Sequence, residues 1–261
     1  MPAAPAAPSP ELATLLSPTQ VQTFTECSAR WYFRYAVRLP DPKNANLALG
    51  IAVHDAIAYT LKAKMAGAAI EPAEAAAEFS DAFEAQLEDA ILRDDDNPAE
   101  LRATGRALVS RYVAEVAPRI RPAAVEESVE GTIAGVRVQG KIDIREQDGT
   151  LRDIKTSSRR PSGVAAAHAF QLATYRQITP KASNVAVVDT LVKTKQPQLV
   201  QIEHRIDDQE IRQTQIMYPL VQDAMRGELY VPNRASTLCS RKSCAFWKAC
   251  QNEFGGRVSE S

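Results

Sequence analysis

The sequence predicts an α/β protein: a mixed β-sheet flanked by helices, with an N-terminal helical insertion ahead of the sheet and a C-terminal cysteine cluster. Three observations carry that expectation. Residues 136–155 alternate apolar and polar side chains on either side of Asp148-Gly149, the pattern of an antiparallel hairpin with one apolar face. Residues 50–117 are alanine-rich with apolar residues at helical spacing. Residues 162–226 then read helix, strand, strand, helix, as a mixed sheet requires.

Residues 1–16 are proline- and alanine-rich without a basic start or apolar stretch, and are expected to be a flexible tail rather than a signal peptide. A single domain is expected over 17–261, with a helical part at 50–120, a sheet core at 124–226 and a cysteine segment at 230–254. Ser17-Pro18 is a cap followed by a first-turn proline, so one helix or two short ones should cover 17–37. On the helix at 50–66, His54 heads a stripe of Ile57, Ala58, Leu61 and Met65. Helices at 71–93 and 98–117 are split by Asp94-Asp95-Asp96-Asn97-Pro98.

Val125–Ile133 is the first expected strand, carrying Glu126, Glu127 and Glu130 as candidates for a place near the site, and Ala134-Gly135 turns it into the hairpin. After Lys155 a polar basic loop holds Arg159 and Arg160. A helix from Ser162 to about Ile178 places His168, Gln171 and Tyr175 on one stripe. Strands are expected at 184–193 and 198–206, then a helix at 208–226 with Ile211, Ile216, Leu220, Val221 and Met225 as its apolar face.

The chemistry concentrates in the hairpin. Asp143 lies on its first strand, and Asp153 and Lys155 share one face of the second. Two like charges at about 4 Å repel by roughly 4 kcal/mol at an effective dielectric near 20. A divalent ion such as Mg2+ or Mn2+ offsets that repulsion through hard oxygen ligands, with Lys155 placed to orient a metal-bound water. The alternative is an exposed strand face with a weak surface ion pair. Both acids are expected on a polar face, so that removing either leaves folding intact. Gly135–Lys141 resembles a phosphate loop, but Ile142 stands where a hydroxyl is required, and the stretch alternates as a strand.

A net charge of −1 neither requires nor excludes an acidic polymer as partner, and no apolar run is long enough to span a membrane. Basic residues nevertheless gather near the site motifs: Arg30 and Arg34, Arg159 and Arg160, Lys193 and Lys195. A cytosolic (cytoplasmic) location is expected. There, Cys27 with Cys239-x4-Cys244-x5-Cys250 reads as a metal centre, zinc or an iron-sulfur cluster, rather than a disulfide framework. The loose spacing favours a cluster, which would clasp the chain ends.

Taken in order, Gly50-x3-His54, Gly140-x2-Asp143, Asp153-Ile154-Lys155, Gln171-x3-Tyr175 and the four cysteines resemble the PD-(D/E)XK nuclease superfamily. The likeness is to the RecB and AddB nuclease domains and their stand-alone iron-sulfur relatives acting on single-stranded DNA ends. It implies a restriction-endonuclease-like core and metal-assisted phosphodiester hydrolysis, in recombination, repair or related DNA processing. It implies that His54, Asp143, Asp153 and the Ile154 carbonyl hold Mg2+ or Mn2+, and that Lys155 positions water and stabilises the phosphate. Gln171 and Tyr175 contact DNA or brace Lys155, and the cysteines hold a 4Fe-4S cluster, with zinc as alternative. Arg30, Arg34, Arg159 and Arg160 are candidate DNA contacts. Ser28 after Cys27 and the four-residue Cys239–Cys244 gap depart from the family pattern. No ATP-binding loop is present, so helicase action would come from a separate helicase or recombination protein. The competing reading is a non-catalytic DNA-binding or scaffold module of a recombination or CRISPR-adaptation assembly.

Overall fold

A computed structural model describes residues 14–92 and 96–260. The chain forms two compact units: one takes the residues up to Asp41, Glu130–Gly140 and Asp208 onward, the other Pro42–Val129 and Lys141–Asp207. A mixed sheet runs in the order β1-β3-β4-β5-β6, with β2 also pairing β3. Its strands are β1 (Leu15–Leu16), β2 (Pro122–Ile133), β3 (Val136–Glu146), β4 (Leu151–Ser157), β5 (Val185–Val192) and β6 (Gln198–Arg205).

The β3–β4 hairpin forms as its alternation predicts. Gly149 adopts φ +87°, which its missing side chain permits, and Thr150 N–H donates to Asp148 Oδ1 at 2.9 Å. Strand β4 pairs β5 in parallel, the connection being made through α6 (Ala166–Ile178). β6 then returns antiparallel to β5.

In the second unit, α3 (Ala45–Met65), α4 (Pro72–Glu88) and α5 (Pro98–Glu115) pack into one core with Ile144, Ile154 and Leu191 of the sheet. Four alanines of α3, Ala45, Ala48, Ala52 and Ala56, are fully buried. Short side chains there let helices approach closely, and Gly105 of α5 lies against the Phe79 ring of α4, where even a methyl group would overlap it. The Lys64 ammonium at the end of α3 donates to the carbonyls of Ala117, Pro118 and Ile120 at 2.7–2.9 Å, satisfying acceptors that α5 and its 3-10 extension leave open.

The first unit holds α1 (Pro18–Glu26), α2 (Ser28–Trp31) continued by a π-helical turn at Tyr32–Ala36, α7 (Asp208–Arg226) and α8 (Trp247–Phe254). Ser17 caps α1, accepting from Gln20 N–H at 3.2 Å. Tyr230 stacks on Tyr32 and Trp31, with centroids 4.8 and 5.9 Å apart.

Several expectations need correction. Leu15 and Leu16, assigned to the tail, pair in parallel with Arg137 and Val138, while residues 1–13 lie outside the described residues. The second helix of the insertion ends at Glu88, and Asp94 and Asp95 of the expected acidic loop also lie outside them. On α7, Ile216 and Leu220 are 50% and 59% exposed, whereas Thr214, Tyr218, Val221, Gln222 and Met225 are buried. The buried face is rotated because Tyr218 supplies its largest apolar surface. Met65 is likewise exposed.

Candidate active site

The second unit brings seven of the expected site residues together: His54 from α3, Asp143 from β3, Asp153, Ile154 and Lys155 from β4, and Gln171 and Tyr175 from α6. Gly50, one turn before His54, lets α3 lie against β4, since a methyl group there would stand 3.3 Å from Thr156 Oγ1.

Asp143 uses both its oxygens. Oδ1 lies 3.5 Å from His54 Nδ1, and Oδ2 accepts from Ile154 N–H at 2.7 Å, which fastens this β3 carboxylate to β4. Asp153 Oδ1 accepts from Lys155 Nζ at 2.7 Å and Gln171 Nε2 at 3.1 Å. Gln171 Nε2 is also 3.1 Å from the Tyr175 hydroxyl. Contrary to the expected polar face, Asp153 is only 3% exposed, because α6 covers that part of β4.

This enclosure sets the charges. Burial pushes the Asp153 carboxyl up to about 6; Lys155 opposes the rise and Asp143 adds to it. Burial would raise Asp143 too, but the hydrogen bond and charge of His54, then Lys155 and the Ile154 N–H, hold it below the ordinary range. For His54, burial favours the neutral ring, yet the contact with Asp143 outweighs it and the pKa rises. Burial lifts Tyr175 to about 12, so its hydroxyl stays protonated. His168, on the same helix, is pushed down to about 4 by burial and the Lys155 charge, and is neutral.

The donor set fits a divalent metal. Asp153 Oδ2 is buried with no hydrogen-bond partner among the described residues, an orphaned acceptor beside a second carboxylate. His54, Asp143 and Glu126 each offer a ligand atom within 4.8 Å of the others. A hard cation would satisfy the orphaned oxygen and compensate the paired acids.

Of the three glutamates expected near the site, Glu126 is the one whose carboxylate reaches His54 and Asp143, although the motifs do not include it among the metal ligands. Glu126 meets Lys141, and Glu127 meets Arg145 at 2.8 Å. Lys141 and Arg145 lie four apart on β3 and so share one face, whereas consecutive residues of a regular strand face opposite ways. The left-handed φ of +58° at Glu126 resolves the conflict by kinking β2 there. The only sequence signal is three glutamates in a strand, which strict alternation splits between faces.

In the first unit, Cys27, Cys239, Cys244 and Cys250 are free thiols lining one pocket, around about 420 Å³ of space that includes open solvent. Among the described residues no three cysteine sulfurs come within 4.8 Å of one another, so they do not converge as ligands around a single ion. Asn233 N–H donates to Cys27 Sγ at 3.4 Å, and Arg234 Nη1 to Cys239 Sγ at 3.8 Å. Burial raises the pKa of Cys244 and Cys250. Arg30 lines the same pocket with its Nε buried and without a partner among the described residues. Arg34 pairs with Asp41 at 3.2 Å. In the second unit Arg159 is exposed, and Arg160 donates to Gln198 at 3.0 Å. No helix among the described residues is long and apolar enough to cross a membrane.

Comparison with solved structures finds a likeness to "Putative exonuclease" from Eubacterium rectale: TM-score 0.63, 14% identity, covering 97% of this chain and 92% of that one. At that identity the likeness shows the fold. The structure of SSO0001 aligns at TM-score 0.40 and 13% identity, over 92% and 87% of the two chains, too weakly to carry an argument. No curated protein sequence matches. The family model for the PD-(D/E)XK nuclease superfamily matches residues 15–251, nearly the whole chain and a range that contains the candidate site, and the protein belongs to that superfamily.

Proposed function

We propose that this nuclease is a divalent-metal-dependent deoxyribonuclease acting as an exonuclease on single-stranded DNA ends. The observation that carries the metal-dependent chemistry is the carboxylate pair Asp143, partly buried and paired with His54, and Asp153, buried and paired with Lys155 through one oxygen while the other is orphaned. His54, Asp143, Asp153 and the Ile154 carbonyl are the residues that would hold Mg2+ or Mn2+. When bound, such an ion supplies Lewis-acid polarisation of the phosphate and acidifies water.

The chain's own groups do the rest. The Lys155 ammonium, held by Asp153 Oδ1, offsets negative charge building on the phosphate and orients the attacking water. Gln171 donates to Asp153 and to the Tyr175 hydroxyl oxygen, so Tyr175 braces the amide that in turn fixes Asp153. Arg159 and Arg160 lie four and five residues after Lys155, just beyond the end of β4, which supports a role on the DNA backbone; Arg30 and Arg34 are proposed as further contacts. The exonuclease name of the Eubacterium rectale protein supports the preference for ends.

We also propose that the four cysteines hold a 4Fe-4S cluster. Four thiolates lining one pocket without closing on one point suit a body that takes one thiolate at each corner better than they suit a single zinc ion. Raised thiol pKa values at Cys244 and Cys250 mean that metal must displace their protons on binding.

The test is digestion of linear and circular single-stranded DNA of one sequence by anaerobically purified protein with manganese. Loss of the linear form alone is expected, with iron bound to the protein. Equal loss of the circle would replace the exonuclease with an endonuclease, and zinc in place of iron would replace the cluster.

A further inference from the structure

Lys141 occupies a position the chemistry above does not use. It is 61% exposed on β3, yet its ammonium is in contact with Glu126, whose side chain is only 16% exposed. The charges of Asp55 and Asp143 also act on it. Glu126 reaches this place through a left-handed backbone, a conformation that is sterically unfavourable for a residue with a side chain. The same carboxylate stands within 4.8 Å of ligand atoms of His54 and Asp143, and the charges of those two residues act on Asp153, which is only 3% exposed and whose Oδ2 has no hydrogen-bond partner among the described residues. Glu126 therefore has two possible cationic neighbours, one internal and one from solution.

We infer that Glu126 is an additional metal ligand and that Lys141 is its placeholder cation, neutralising Glu126 in the metal-free protein and leaving it when a divalent ion binds. This rests on the proposed metal site at His54 and Asp143, and goes beyond it by adding a ligand and an internal competitor. The strained turn holds Glu126 at the site in both states. Lys141, on a long flexible stem at the surface, is the partner that moves. One cation replaces another at a carboxylate: Glu126 gives up its ion pair with Lys141, whose ammonium returns to solvent still protonated, and would ligate the metal instead, so the cost of burying Glu126 is compensated in either state.

The competition gives opposite signs for the two partners. Removing the ligand weakens metal binding, and removing the competitor tightens it. Manganese binding without nucleic acid is measured by electron paramagnetic resonance and titration calorimetry for wild type, Glu126→Gln, Lys141→Gln, the double variant and Asp143→Asn, with circular dichroism confirming each fold. Glu126→Gln is expected to weaken binding roughly tenfold. Lys141→Gln should tighten it roughly threefold, and this gain should vanish in the Glu126→Gln background, because Lys141 then has no ligand to withhold. Wild-type affinity in Glu126→Gln overturns the added ligand. Unchanged binding in Lys141→Gln, or a gain that persists in the double variant, overturns the placeholder. Wild type without manganese binding, or Asp143→Asn binding as tightly as wild type, instead defeats the underlying metal site.

Discussion

Asparagine in place of Asp153 is expected to stabilise the metal-free protein while removing its nuclease activity. The folded Asp153 carboxyl has a pKa of about 6, above its ordinary 3.8, mainly because it is buried. A raised carboxyl pKa means that the protonated form suits the fold. Its favourable contribution is complete below about pH 4 and is lost as pH rises through about 6. Near pH 7.5 the charged group costs roughly 3 kcal/mol with the contact to Lys155 already included, and Asp153→Asn escapes that cost while keeping an oxygen for Lys155 and Gln171. Urea melts with chelator should show the variant more stable at pH 7.5, the gap closing toward pH 4.5. A variant less stable than wild type at both values would mean that the carboxylate is supported by its surroundings rather than opposed by them. Loss of cleavage in the stabilised variant is the trade-off expected where a site stores charge for a ligand.

The second large effect lies on the opposite face of β4. Asp189 of β5 pairs in register with Ile154, is 2% exposed, and accepts from Tyr112 at 2.8 Å, Gln201 at 2.7 Å and Arg152 at 3.0–3.1 Å. Arg152 also donates to Glu146 at 2.6 Å. Asp189→Ala leaves three donors, one of them a mostly buried guanidinium, without their acceptor, and is expected to cost roughly 3–5 kcal/mol in chemical denaturation. Tyr112→Phe, which removes one donor while Asp189 keeps the others, should cost only about 1 kcal/mol. Equal losses in the two variants would show that packing of the Tyr112 ring, rather than the buried charge, governs this region.

Local patterns made most of the site legible. Alternation along residues 136–155 and the Asp-Gly turn set Asp143 beside Asp153 and Lys155, since a strand's period of two follows from backbone geometry alone. The helical spacing of Gln171 and Tyr175 likewise matches their hydrogen bond to each other. What was not legible depends on distant segments. Asp153 is buried because α6, which begins thirteen residues later, covers it. Glu126 reaches the site through a single left-handed residue that no alternation rule anticipates. The face of α7 was misjudged because Tyr218, with Thr214 and Gln222, replaces the aliphatic stripe that hydropathy picks out. Cysteine spacing placed four thiols on one pocket but carries no information about sulfur separations, which bear on the choice between one ion and a cluster.

The most direct test of the metal-dependent nuclease site is hydrolysis of end-labelled DNA by anaerobically purified protein, with manganese or with chelator, for wild type and Lys155→Ala side by side. Label release by wild type that requires manganese and falls at least roughly a hundredfold in Lys155→Ala, the loss expected for one donor that stabilises transition-state charge, is the predicted result. No release by wild type with any divalent metal, or undiminished release by Lys155→Ala, would contradict the account.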